Sequence, residues 1–367
     1  MASILIKNGT IVLPDALLEN SYVLIDGNKI AAVGKGMRHP RGTISVDAGG
    51  AYISPGFIDT HIHGSPAEIF NNEIRSGTTS IVIAESCASL DEIYGKARQI
   101  ERFVRDSAFG HNVLGLRLEG PYINKKKAGA QDRRYIRKPN RKEMLEMLKK
   151  CGHLLKMITI APEIDGAIPI IKLLGPHGVI ASMGHTNATY EEAAAGITAG
   201  IRHATHIFNA MRGPERGESG ASSAALLEEA VMAEIVLDFI HVPRELFDLL
   251  IKVKGTQRTI LVTDSVRAER RPGVEKRDGT YKFRDGTIAG SALTMIGALK
   301  HSVKTCGLEL VDAARMLTIN PARLFGAERR KGRIAAGMDA DIVLFDEDFD
   351  VKITILNGEI AYRKKGS

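Results

Sequence analysis

The chain has 367 residues, 44% hydrophobic and 25% charged, so it is globular, neither disordered nor fibrous, and too long for one small core. Three cysteines exclude a disulfide framework and a CxxC metal knuckle, and 5% aromatic residues with no Trp leave few platforms for stacking nucleic-acid bases. A formal net charge of +7 is accounted for by a small anionic ligand such as a phosphate ester as easily as by a polyanion. Cys87, Cys151 and Cys306 read as buried small hydrophobes in a reducing compartment. The start of the chain has no basic segment leading into an apolar stretch, and no run reaches the ~18–20 apolar residues of a membrane helix. A cytoplasmic protein is expected.

Near the start, Tyr22-Val23-Leu24-Ile25 and Ile30-Ala31-Ala32-Val33 flank Asp26-Gly27-Asn28-Lys29; near the finish, Asn357-Gly358 separates two further apolar runs. Asp-Gly and Asn-Gly tolerate the positive φ of tight hairpin turns, so both ends read as β-rich. Between these ends, short apolar strands alternate with helical stretches. The strands run from Gly56 into His61, Thr79 into Glu85, Val113 into Glu119, Met157 into Glu163, Val179 into His185, Ile201 into His206, Ile235 into His241 and Ile260 into Asp264. Helical stretches include 91–104, 141–150, 191–199, 243–253 and 295–306. Continuous apolar strands joined by helices predict a parallel sheet buried on both faces, and eight such units predict an α/β fold of the (β/α)8 TIM-barrel type. The expected layout is a barrel over 55–331 and a small β-sandwich domain built from both termini, 1–54 plus 332–367.

Active sites of such barrels lie at the C-terminal ends of the strands, where the ionisable residues fall here. In His61-Ile62-His63, residues two apart on a strand share a face, so both imidazoles reach one ion. Glu119, His185 and His206 end the third, fifth and sixth strands, which converge on the axis and can share a metal. Asp264 follows the eighth strand and is placed to act as general base and then general acid, or to cap a helix. His241 ends the seventh strand and is placed to polarise a carbonyl. Asp59 either orients a ligand or starts a turn. His39, His111, His153, His177, His203 and His301 read as structural or surface residues, as do Arg270-Arg271 and Arg329-Arg330-Lys331. Lys125-Lys126-Lys127 and Arg133-Arg134 form a basic loop near the mouth, mostly solvated surface.

Several segments carry a resemblance. Pro55-Gly56-Phe57-Ile58-Asp59-Thr60-His61-Ile62-His63-Gly64 resembles the opening motif of the amidohydrolase superfamily. Leu118-Glu119-Gly120-Pro121, Gly184-His185-Thr186-Asn187, Thr205-His206-Ile207-Phe208-Asn209-Ala210-Met211, Thr263-Asp264-Ser265 and Gly286-Thr287-Ile288-Ala289-Gly290-Ser291 resemble, in order, the N-acetylglucosamine-6-phosphate deacetylase family. The resemblance implies a metal-dependent deacetylase acting on an amino-sugar phosphate, without nucleic-acid or membrane partners. Glu119, His185 and His206 would hold the principal divalent ion, and the retained His61 and His63 a second; zinc is the first choice, with iron, manganese or cobalt as alternatives. Asp264 matches the catalytic carboxylate and His241 the residue on the acetamido carbonyl. Ala130, Gln131, Asn209, Ala210, Ile288, Ala289 and Gly290 match substrate-binding positions. The phosphate would meet Arg216, with Arg212 competing; in the family this arginine can come from a partner subunit, which implies a homodimer.

Three departures stand out: a short Gly64–Thr78 segment, Gln131 where His is frequent, and Ser265 where Ala is commoner. Competing readings are deacetylation of a galactosamine or mannosamine phosphate, a dipeptidase or cyclic-amide hydrolase on the same barrel, a basic nucleic-acid-binding protein, and a catalytically inert scaffold.

Overall fold

The computed structural model describes residues 3–36, 42–268 and 273–366; His39, Arg270 and Arg271 lie outside the described residues. The chain divides into two compact units. One comprises Met1–Thr60, Ala67–Ile81 and Thr294–Ser367, the other His61–Pro66 and Val82–Leu293.

The chain opens with β1 (Ile4–Val12), β2 (Leu17–Asp26), β3 (Lys29–Lys35), β4 (Ile44–Asp47) and β5 (Tyr52–Pro55). The central strands are β6 (Phe57–Gly64), β7 (Thr78–Glu85), β8 (Val113–Glu119), β9 (Leu155–Ile160), β10 (Ile180–Met183), β11 (Ile201–Ala204), β12 (Met232–Val236) and β13 (Thr259–Val262). Next come β14 (Ser265–Ala268), β15 (Val274–Arg277), β16 (Thr280–Phe283) and β17 (Ile288–Ser291), and the chain closes with β18 (Ile342–Phe345), β19 (Val351–Leu356) and β20 (Glu359–Arg363).

Strands from both ends form one eight-stranded sheet, β20-β19-β18-β5-β1-β2-β3, with β4 on β1. The turn between β19 and β20 is Asn357-Gly358, with φ of 53° and 79°, the positive pair that this dipeptide supplies. Ile6, Ile11, Val23, Ile25 and Ile53 pack with Ile342, Leu344, Ile353 and Ile355 in its core. Lys331, expected at the surface, is buried: its ammonium pairs with Asp341 and lies 3.3 Å from Asp339. A buried cation needs such partners, and aspartates eight and ten residues on supply them.

The second sheet runs β13-β12-β11-β10-β9-β8-β7-β6-β14-β17-β16-β15. Its strands from β8 to β13 pair parallel, and β14 pairs parallel with β6. Because β14 continues β13 after a break at Thr263–Asp264, the eighth strand joins the first and the ring closes. Every residue of β6 is buried, as a strand covered on both faces requires. Capping boxes start the helices Leu90–Asp106 (Ser89 with Glu92) and Tyr190–Ala199 (Thr189 with Glu192), each satisfying main-chain donors that would otherwise be stranded.

Two further sequence expectations need correction. The seventh strand is Met232–Val236, earlier than expected. Asp238 Oδ1 accepts the main-chain N–H groups of Ile240 (2.9 Å) and His241 (2.8 Å), folding the chain into a turn in which Phe239 has φ 60°. Cys306 is only partly buried, unlike Cys87 and Cys151.

Candidate metal centre and active site

The strand ends deliver their side chains through an unusual backbone. His185, His206 and Asp264 hold φ of 48°, 28° and 47°, in the left-handed region that costs a non-glycine residue about 1–3 kcal/mol. Each lies just past a strand, where a left-handed residue turns the chain and sends its side chain into the mouth. Gly290 permits a related close approach, since a Cβ there would sit 2.9 Å from the Asp264 carbonyl oxygen and 2.6 Å from Val266.

Two groups of donors result. Glu119, His185 and His206 form one, and His61, His63 and Asp264 the other. Glu119 Oε1 lies 2.9 Å from His185 Nε2 and 2.8 Å from His206 Nε2. Its Oε2 faces His61 Nε2 at 3.8 Å and His63 Nε2 at 3.7 Å, so this carboxylate stands between the groups. Asp264 Oδ1 is 3.4 Å from His61 Nε2 and 3.3 Å from His63 Nε2.

The proton positions fit a cation. His185 Nδ1 lies 2.8 Å from the Lys127 carbonyl oxygen, which can only accept; the proton is therefore on Nδ1 and the Nε2 lone pair faces Glu119. His61 is arranged alike, with Nδ1 2.7 Å from Glu234 Oε1. Imidazoles oriented from behind by an acceptor, with lone pairs converging on carboxylates, form a ligand set for a borderline divalent ion. The electrostatics agree. Burial pushes Glu119 up, but His185, His206 and His61 outweigh it and hold this carboxyl well below the usual range. Burial and Arg117 work against the imidazolium of His61, yet Asp264 and Glu234 prevail and lift it to about 10. The carboxylates that hold these protons would also attract a metal cation, which must displace the Nε2 protons to bind.

Above the donors lies a cavity of about 260 Å3 lined by His63, Glu119, His185, His206, His241 and Asp264. Ala130, Gln131, Asn209, Ala210, Ile288, Ala289 and Gly290 complete its wall, so these expected positions are brought together. His61 is fully buried and is not among the lining residues. Gln131 is committed to the framework: its Oε1 accepts from Cys87 N at 2.7 Å and its Nε2 donates to Glu119 Oε2 at 2.6 Å. Neither arginine lines the cavity. Arg216 is exposed, and Arg212 lies 2.6 Å from Glu218 and 3.6 Å from Glu215. Two other strand-end acids are engaged elsewhere: Glu85 pairs at 3.2 Å with Lys96 of the helix Leu90–Asp106, and Glu163 accepts from Asn124, Thr186 and Asn187.

Three charged neighbours of these residues were not anticipated. Asp238 Oδ2 lies 2.6 Å from His241 Nδ1. Burial opposes the charge on His241, but Asp238 more than compensates and raises its pKa. Arg117 and Glu234 are fully buried and paired at 2.7 Å. Their signal was a charge inside an apolar strand, which demands a partner. His203, read as structural, is so: Ser182 holds its Nδ1 at 2.8 Å, and burial pushes its pKa down to about 3, keeping it neutral.

Candidate metal ligands converging at the C-terminal mouth of a parallel barrel are the layout of a metal-dependent barrel enzyme. The chain matches the profile of the Amidohydrolase family over residues 52–361 and belongs to that family. Within it, the kinship is with N-acetylglucosamine-6-phosphate deacetylases. The chain is 32% identical to the enzyme of that name from Bacillus subtilis (strain 168), covering 99% of this chain and 98% of the relative, and 31% identical to that from Lysinibacillus sphaericus, covering 98% and 97%. Among solved structures, an aspartate-to-alanine variant of N-acetyl-D-glucosamine-6-phosphate deacetylase from Mycobacterium smegmatis, in complex with N-acetyl-D-glucosamine-6-phosphate, superposes with a TM-score of 0.89 at 30% identity, covering 98% of this chain and 99% of that one.

Proposed function

We propose that the protein removes the acetyl group from N-acetyl-D-glucosamine 6-phosphate, giving D-glucosamine 6-phosphate and acetate, with one or two divalent ions, zinc before iron, manganese or cobalt. The observation that carries this reading is Glu119 standing between two histidine-rich donor groups at the barrel mouth, in a chain with deacetylase relatives along its whole length. Glu119, His185 and His206 hold the principal ion, and His61 and His63 a second. A divalent ion in such a site polarises a carbonyl and lowers the pKa of a water toward ~7.

The side chains supply the remaining chemistry. Asp264, kept ionised chiefly by His61 and His63 against the cost of burial, accepts the proton of the attacking water and returns it to the departing amine. His241 donates a hydrogen bond to the acetyl oxygen as negative charge develops there. With Nδ1–H given to Asp238, only the imidazolium form has a proton left on Nε2 for that bond. Asn209, Ala210 and the Ile288–Gly290 loop orient the sugar. Arg216 meets the phosphate across a homodimer, a role its exposed position outside the cavity wall favours over a contact within its own subunit. A cytoplasmic location suits a phosphorylated substrate; among the described residues no helix is long and apolar enough to cross a membrane.

The deciding experiment compares acetylated glucosamine, galactosamine and mannosamine 6-phosphates with their unphosphorylated forms and a dipeptide, under defined metals. The glucosamine phosphate should have the highest kcat/KM. Equal rates with and without phosphate would remove the phosphate anchor, and preference for a dipeptide would reassign the enzyme. A second expectation concerns pH. Asp238 raises the pKa of His241, so the imidazolium persists to higher pH than it otherwise would. Asp238→Asn should move the alkaline limb of the kcat/KM profile to lower pH; an unmoved limb would exclude the imidazolium role.

A further inference from the structure

Glu234 takes no part in the chemistry described above, yet it touches both donor groups from below. Its Oε1 accepts from His61 Nδ1–H at 2.7 Å and from the main-chain N–H of His206 at 3.0 Å. Arg117 closes the other side, with Nη1 2.7 Å from Oε2 and Nη2 3.2 Å from Oε1. Arg117 Nη2 also reaches Thr205 Oγ1 at 3.2 Å, on the residue before His206. Both members of the pair are completely buried, on strands β12 and β8. A buried ion pair is often no more stabilising than apolar side chains of the same volume, so stability alone is a weak reason for one in a barrel interior.

We infer that Glu234 is the positioning residue that holds His61 and His206 in register as ligands of the two cation groups. By accepting a hydrogen bond from His61 Nδ1–H it selects the tautomer whose Nε2 faces Glu119 and Asp264 as the metal-binding nitrogen. By holding the His206 N–H it secures the left-handed turn that aims that ring at Glu119. Arg117 balances the carboxylate, so the orientation is achieved without adding net charge under the ions. This inference rests on the reading of the two groups as cation sites.

The test uses zinc alone and the full-length protein. Glu234→Gln by itself would strand the Arg117 charge, so the main variant combines Glu234→Gln with Arg117→Met. It should keep the wild-type circular dichroism spectrum and bind zinc about 10–100-fold more weakly in competition with a chelator. A folded double variant with unchanged zinc affinity overturns the inference, as does zinc loss that only tracks loss of folded protein. The wild-type protein provides a second readout that needs no variant to fold. With 15N-labelled histidine and zinc bound, His61 should show a protonated Nδ1; a proton on its Nε2 also overturns the inference. A wild-type protein that binds no zinc or other divalent ion would instead remove the metal reading itself.

Discussion

Asp264→Asn is expected to lower kcat by about 10²–10⁴-fold, the range associated with a positioned general acid–base. The variant keeps the shape of the side chain and removes its proton affinity. The Glu119, His185 and His206 group is untouched, so the principal ion should remain and total metal content should stay near normal. Elemental analysis alongside steady-state kinetics separates the two effects. Near-normal turnover in this variant would end the assignment of Asp264 as proton carrier. Loss of activity in strict proportion to lost metal would recast Asp264 as a ligand only, a role its 3.3–3.4 Å approach to His63 and His61 makes the natural alternative.

Glu119→Ala should be at least as damaging, for a different reason. This carboxylate faces four imidazoles, two through each oxygen. Its removal takes an anionic donor from both cation groups, so both affinities should fall together. Turnover should drop by more than the ~10²–10³-fold cost of deleting one preorganised charge-stabilising group. Excess zinc should restore part of the activity. Retention of two tightly held ions in Glu119→Ala would contradict its place between the groups.

Much of this was legible in the residues because strand ends in a barrel carry a positional meaning. His61, Glu119, His185, His206 and Asp264 each terminate or follow an apolar run, and the ring brings them together. The Asn357-Gly358 turn was equally readable, since its conformation is decided by the two residues themselves. What escaped was settled at a distance. Arg117 and Glu234 lie 117 residues apart, and neither announces the other. Lys331 sat in a basic run that looked solvated until Asp339 and Asp341 folded against it. The seventh strand was misplaced because Asp238 was read as part of an extended run, although its side chain competes for the backbone N–H groups ahead of it. Gln131 matched a substrate-binding position through the family resemblance, and its hydrogen bonds to Cys87 and Glu119 were not readable from the sequence.

The break between β13 and β14 has a bearing on how activity arises and fails. Asp264 occupies that break, and its N–H bonds the carbonyl of His61 at 2.8 Å, across the line where the last strand meets the first. Asp264 and His61 are therefore neighbours only once the chain has come full circle. Glu119, His185 and His206 sit at or just past the ends of other strands of the ring and do not lie on that line. Parting along that one line would separate Asp264 from His61. Activity should therefore report on ring closure: turnover should be lost at a lower temperature or denaturant concentration than the far-ultraviolet circular dichroism signal, and coincident losses would contradict this.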